Sequence, residues 1–297
     1  MLYFKKGLEI VSAVYKHGKL MTTLLFPGQG SQEPNMGNDF FARFSDLVSE
    51  ADDILGYSIA ELCQDDGTRL NQTCYTQPAL FIVSCLMFEQ WKEDSGGKMD
   101  FAAGHSVGEY AALYASGCID FASGVKMVHK RGALMHQESG GGMAAVIGLN
   151  YDIVSCLLED ESLASIDIAN LNAPEQIIVS GLSADVMAAE AAFINAGAKR
   201  YIPLKVSGAF HSRYMTTAAQ EFRSYIENIE FMEPAFPVIA NLDARPYDAI
   251  RARDLLAAQI HSSVRWVESI QYLRGQGEMD FIELGPGKVL SRLLRRI

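Results

Sequence analysis

The sequence predicts an α/β protein in which a parallel, helix-covered sheet is interrupted by a smaller inserted unit. Three observations carry this expectation. Short apolar runs alternate with longer helix-compatible segments along most of the 297 residues, the pattern of a sheet buried on both faces. At 101–117 (FAAGHSVGEYAALYASG) such a run ends in Gly104-His105-Ser106-Val107-Gly108 and passes into a helix of small residues. After the triple glycine at 140–142 the order changes to β-α-β-β-α-β, a ferredoxin-like split unit.

Residues 1–20 contain neither a signal-peptide apolar core nor a small-residue cleavage site. They read as an extension outside the core fold, ahead of Met21, which looks like an ordinary start. Residues 22–26 (TTLLF) form a short buried strand that runs into Pro27-Gly28-Gln29-Gly30. The two glycines around Gln29 suit either a backbone that comes close to a ligand or a plain turn. Residues 39–55 are helical in pattern, with Phe40, Phe44, Leu47, Val48 and Ala51 on one face. Residues 76–91 are apolar nearly all round and read as a buried helix with Pro78 in its first turn. A polar loop at 94–100 leads into the strand at 101–103, and a helix follows at 109–116. The helix at 121–137 carries Arg131 beside Met127, Val128 and Leu134. Its guanidinium is either a solvated, snorkelling group or a buried cation awaiting an anion.

The triple glycine is the hinge candidate. Beyond it the sequence predicts a strand at 143–149, a helix at 151–160 and strands at 166–171 and 176–182. A helix at 184–196, ended by Gly197, and a strand at 199–206 complete the unit. The expected organisation is an inserted subdomain at 143–205 within a main domain made of 21–142 and 206–297. The chain returns through Ser207-Gly208-Ala209-Phe210-His211-Ser212 to a helix at 212–229. Strands at 236–241 and 280–284 and helices at 254–260 and 267–276 follow.

Composition excludes several classes. A net charge of −11 argues against broad nucleic-acid binding. A hydrophobic fraction of 49% is ample for a packed core. The five cysteines are scattered without a C-x-x-C pair, so they read as buried thiols in a reducing, cytoplasmic setting, not as disulfides or metal ligands. No apolar run reaches transmembrane length.

The chemistry centres on Ser106. At the apex of a G-x-S-x-G bend between strand and helix, its hydroxyl would be exposed beside free backbone N–H groups. The alternative is a structural turn whose glycines pack helix on sheet. A serine nucleophile needs a base. Of the six histidines, His17 lies in the extension and His105 adjoins Ser106, where its side chain should diverge. His129 and His136 are on a helix, and His261 is in a polar loop. His211, at a strand–loop–helix junction after the insertion, is the candidate base, against a structural histidine as the alternative. No acidic residue stands out to orient it, and a backbone carbonyl could hold its Nδ1–H instead.

From about Met21 to its end the chain resembles malonyl-CoA:acyl carrier protein transacylases. The matching pieces are FPGQGSQ (26–32), TQPAL (76–80), GHSVGEY (104–110), RG (131–132), NLNAPEQIIVSG (170–181), GAFHS (208–212), Gln259 with Val264-Arg265-Trp266, and ELGPGKVL (283–290). In detail it is most similar to the discrete, trans-acting acyltransferases of polyketide synthases. The resemblance implies an α/β-hydrolase-like core with a ferredoxin-like insertion. It implies Ser106 as the acylated nucleophile, His211 as its base, and backbone N–H groups of Gln29 and Val107 as the oxyanion hole. It implies Arg131 as the cation for the malonyl carboxylate and the Gln259 main-chain carbonyl as the histidine's orienter. Phe210 before the histidine, with Val107, implies a preference for malonyl over methylmalonyl units. The implied partners are malonyl-CoA and an acyl carrier protein, with no metal or resident cofactor. Carrier docking would use Lys126, Lys130, Arg292, Arg295 and Arg296, or these form an ordinary solvated face. The alternatives are a transacylase of fatty-acid synthesis, a carrier-protein editing hydrolase on the same fold, and a non-catalytic docking module.

Overall fold

The protein is described by a computed structural model covering residues 20–65 and 67–297. The extension expected at 1–20 therefore lies almost wholly outside the described residues. Among the described residues, eight strands form two sheets. In the first, β1 (Met21–Phe26), β2 (Phe101–Gly104), β7 (Val238–Ile239) and β8 (Met279–Glu283) run parallel in the order β7-β2-β1-β8. Leu24, Leu25, Phe26, Ala102 and Ala103 are wholly buried, as expected of central strands covered on both faces. Phe26 pairs with Gly104, so the two central strands end level with each other. The loops bearing Gln29 and Ser106 consequently leave the same edge side by side, at the carboxyl ends where open α/β sheets build their sites.

The second sheet comprises β3 (Gly141–Ile147), β4 (Ile166–Ala173), β5 (Gln176–Leu182) and β6 (Arg200–Pro203), antiparallel in the order β4-β5-β3-β6. This is the ferredoxin-like order. Side chains alternate along β3: Ala144 and Val146 pack with Val154, Val186 and Phe193 of the unit's own helices, whereas Met143 and Ala145 join the main core. The triple glycine is not a hinge. Gly141 and Gly142 are ladder residues opposite Leu182 and Gly181. A Cβ on Gly141 would lie 2.0 Å from the Ala209 nitrogen, so this glycine makes room for the returning chain. Strand β4 is also tied to the main body. Leu171 N–H donates to Val264 O, Val264 N–H donates to Ala169 O (both 2.9 Å), and Arg213 pairs with Asp167 at 2.5 Å.

Several boundaries differ from expectation. The helix expected at 76–91 spans Thr73–Ser95, so Pro78 sits in its second turn. Thr76, expected to open it, instead ties the first turn down: its hydroxyl donates to the Leu70 and Gln72 carbonyls (2.6 and 3.0 Å). The segment 39–55 is two helices, Asn38–Phe41 and Ser45–Leu55, because Phe44 leaves helical geometry (φ −108°, ψ 42°). The helix Ile59–Gln64, capped by the Ser58 hydroxyl, and the last helix, Val289–Leu294, were not anticipated. The inserted unit's second helix is split into Ser183–Ala188 and Glu190–Asn195. The strand expected at 236–241 has only two ladder residues. The remaining helices that bear on the site are Gly108–Ala115, Phe121–Gln137, Thr216–Tyr225, Ala252–Gln259 and Trp266–Gly275. No helix among the described residues is long and apolar enough to cross a membrane.

Candidate active site

The bend after β2 is tight because its glycines leave no room for side chains. A Cβ on Gly104 would meet the Gly108 carbonyl carbon at 2.0 Å, and one on Gly108 would meet Phe26 O at 2.1 Å. Ser106 between them has φ 53°, a left-handed conformation that a non-glycine residue keeps only when its surroundings enforce it. Asn241, just beyond β7, provides the enforcement. Its Oδ1 accepts from Ser106 N–H and its Nδ2 donates to Gly104 O, both at 2.7 Å. Val107 is the N-cap residue of the helix Gly108–Ala115.

His211 is likewise held at positive φ (58°), with its N–H on Ile260 O at 3.2 Å. Its Nδ1 lies 2.8 Å from the main-chain carbonyl of Gln259, and its Nε2 lies 2.7 Å from Ser106 Oγ. A carbonyl only accepts, so Nδ1 carries the proton and Nε2 is free to accept from the serine hydroxyl. Burial, aided by the Arg131 charge, pushes the His211 pKa down to about 3. The imidazole is therefore neutral at neutral pH. His105 points elsewhere: its Nε2 meets Asn172 Oδ1 at 2.8 Å and its ring stands edge-on to Trp266.

Arg131 is 0% exposed, which removes the solvated alternative. Nη1 donates to Gln77 Oε1 (2.6 Å), and Nη2 donates to Gln259 Oε1 (2.7 Å) and Ser106 Oγ (3.2 Å). Nε has no partner, and among the described residues no carboxylate forms an ion pair with it. A buried guanidinium met mainly by neutral amide oxygens retains a net attraction for an anion. Ser106, Arg131 and His211 face one cavity of about 160 Å³, lined also by Gln29, Val107 and Phe210. The Gln29 loop is thus more than a plain turn. Gly28 is required there, since a Cβ would lie 2.4 Å from His105 O. The Gln29 side chain turns to the Thr73 hydroxyl (3.2 Å).

Sequence reasoning missed three groups. Gln77 and Glu109 lie inside quoted motifs, but nothing local to them marks a partner far along the chain. Asn241 could be suspected only from its place after a parallel strand. Glu109 is wholly buried. Its Oε1 accepts from Asn241 N–H (2.5 Å), and its Oε2 accepts from the Gln259 side-chain amide. Burial pushes its pKa up to about 8 against these hydrogen bonds.

Comparison with known proteins agrees with this architecture. Residues 23–296 match the family described as acyl transferase domain. The polyketide biosynthesis protein PksE of Bacillus subtilis is 49% identical over 93% of this chain, which spans 36% of that longer protein. The polyketide biosynthesis malonyl CoA-acyl carrier protein transacylase BaeC of Bacillus velezensis is 47% identical over 93% of this chain and 96% of its own length. The crystal structure of a malonyl CoA-acyl carrier protein transacylase from Burkholderia pseudomallei superposes with a TM-score of 0.89 at 44% identity, covering 94% of this chain and 98% of that one. With an α/β-hydrolase-like core, a ferredoxin-like second sheet and a match along nearly its whole length, this chain belongs to the acyl transferase domain family.

Proposed function

We propose that the protein moves a malonyl group from malonyl-CoA to the phosphopantetheine thiol of an acyl carrier protein, as a separate acyltransferase serving a polyketide synthase. The observation that carries this is a Ser106–His211 pair at 2.7 Å with a wholly buried arginine 3.2 Å from the same serine oxygen. Serine and histidine alone would suit any acyl transfer. The guanidinium selects an acyl group with a free carboxylate at its far end, which it can bind through two parallel hydrogen bonds. The names of BaeC and of the Burkholderia pseudomallei enzyme support the same donor and acceptor.

In this mechanism Ser106 Oγ attacks the thioester carbonyl while its proton passes to His211 Nε2. The Gln259 carbonyl stabilises the resulting imidazolium through Nδ1–H. The oxyanion is taken by the N–H groups of Gln29 and Val107, each worth about 3 kcal/mol in the transition state. Collapse expels the CoA thiolate, which takes the proton from His211 and leaves malonyl-Ser106. The carrier's thiol then attacks with His211 again as base, returning serine and a malonylated carrier. Nucleophile, base and cation are all side chains of this protein, so the reaction needs no metal or resident cofactor. Cysteines free of disulfides suit a reducing cytoplasm. Residues 143–205 act as an inserted subdomain that supplies one wall of the cavity.

Intact-mass spectrometry after incubation with malonyl-CoA should show one malonyl adduct, discharged by added holo-carrier protein. A Ser106→Ala variant that still takes up malonate would remove Ser106 as the nucleophile. Release of free malonate in place of malonyl-carrier would turn the reading to an editing hydrolase.

A further inference from the structure

Both arms of the site meet at Gln259. Its main-chain carbonyl holds His211, and its side-chain Oε1 accepts from Arg131 Nη2 at 2.7 Å. Its Nε2 donates to Ser106 O at 2.9 Å and to Glu109 Oε2. The side chain thus works in one orientation only, with oxygen on the arginine and nitrogen on two acceptors. Glu109 does not line the cavity and is wholly buried, its other oxygen accepting from Asn241 N–H. A carboxyl group presents two acceptor oxygens, whereas an amide presents one.

We propose that Glu109 is a positioning residue: by accepting from the Gln259 amide nitrogen it keeps that side chain's oxygen on Arg131, and so aims the guanidinium at the far carboxylate of the acyl group. This rests on the malonyl reading above.

Glu109→Gln tests the idea because it is nearly isosteric and keeps an acceptor for Asn241 N–H. Its amide nitrogen, however, would face the Gln259 nitrogen, donor against donor. Relief by rotating the Gln259 amide would turn a donor onto Arg131. Carrier loading is measured from malonyl-CoA and from acetyl-CoA, with thermal unfolding of each variant alongside. In folded Glu109→Gln the malonyl-to-acetyl ratio of kcat/KM should fall about tenfold, the scale of one charge-assisted hydrogen bond, with KM for malonyl-CoA rising more than kcat falls. Glu109→Asp, which keeps both acceptors, should recover part of the ratio. Gln259→Leu keeps the carbonyl that holds His211 but loses the oxygen on Arg131, so it should lower the ratio similarly and make a second change at 109 silent. It carries the test if Glu109→Gln does not fold. A wild-type ratio in folded Glu109→Gln, or in Gln259→Leu, overturns the inference alone. A wild-type enzyme without preference for malonyl overturns the malonyl reading and this inference with it.

Discussion

His211, the proposed base, is held neutral by its surroundings, chiefly burial and then the Arg131 charge. Its folded pKa of about 3 lies below the ordinary histidine value near 6.5. The acid limb of kcat/KM in the free enzyme should therefore fall well below pH 6. Arg131→Ala removes the second cause and leaves the first, so with acetyl-CoA as donor the limb should move upward without reaching the ordinary value. An unmoved limb would separate the two side chains electrostatically. The same shift has a stability sign. The unfolded chain protonates His211 below about pH 6.5 while the fold resists, so this contribution is present above that pH and is lost as pH falls. Arg131→Ala should also cost malonyl transfer about two to four orders of magnitude while sparing acetyl transfer relatively, since two charge-assisted hydrogen bonds to the carboxylate disappear. Phe210, buried on the cavity wall, should limit branching next to the thioester. Phe210→Ser should raise methylmalonyl relative to malonyl loading by about tenfold, the scale of one methyl group. An unchanged ratio would remove Phe210 from selectivity.

Among the elements, the bend at 104–108 is the least tolerant of change. It joins β2 to the helix Gly108–Ala115 by letting Gly108 lie against the Phe26 carbonyl. Gly108→Ala should destabilise the protein by about 3 kcal/mol or more, seen as a large loss of thermal stability, because backbone and not a flexible side chain blocks the new methyl. Gly30→Ala is the contrast. Its Cβ would meet nothing within 4 Å, but its φ of +100° strains an alanine. A smaller cost of about 1–2 kcal/mol should follow. The strand–bend–helix was legible in the sequence because G-x-S-x-G and the flanking apolar run are local signals. The hinge reading of 140–142 failed because β-ladder partners forty residues away, and Ala209 beyond the insertion, decide what those glycines do. Pro78 was misplaced for a related reason: the start of its helix is stabilised by the Thr76 hydroxyl on carbonyls of the preceding turn, which periodicity does not report.

Over the whole molecule, charge bears on partner choice. The chain is acidic, at −11, so an acidic carrier protein would be repelled except at local basic patches. Arg292, Arg295 and Arg296 are exposed near the last helix, and Arg292 and Leu293 border a groove that shares Val289 and Leu293 with the active-site cavity. Reversing Arg292 and Arg295 to glutamate should raise KM for the carrier severalfold, an effect that about 0.5 M salt largely abolishes through screening. A KM insensitive to both changes would place docking elsewhere. The sequence by itself determined the α/β class and the ferredoxin-like order of the second unit, because hydrophobic period is written along the chain; its local pattern marked Ser106 and His211 as candidates, and a role for Arg131 came only with the family resemblance. Only the tertiary structure decided that Arg131 is wholly buried between two amide oxygens, that Asn241 locks the Ser106 backbone, and that Glu109 and Gln259 join the two arms. Those contacts link residues more than fifty positions apart. Their hydrogen-bond directions follow from packing, to which no local pattern of residues is sensitive.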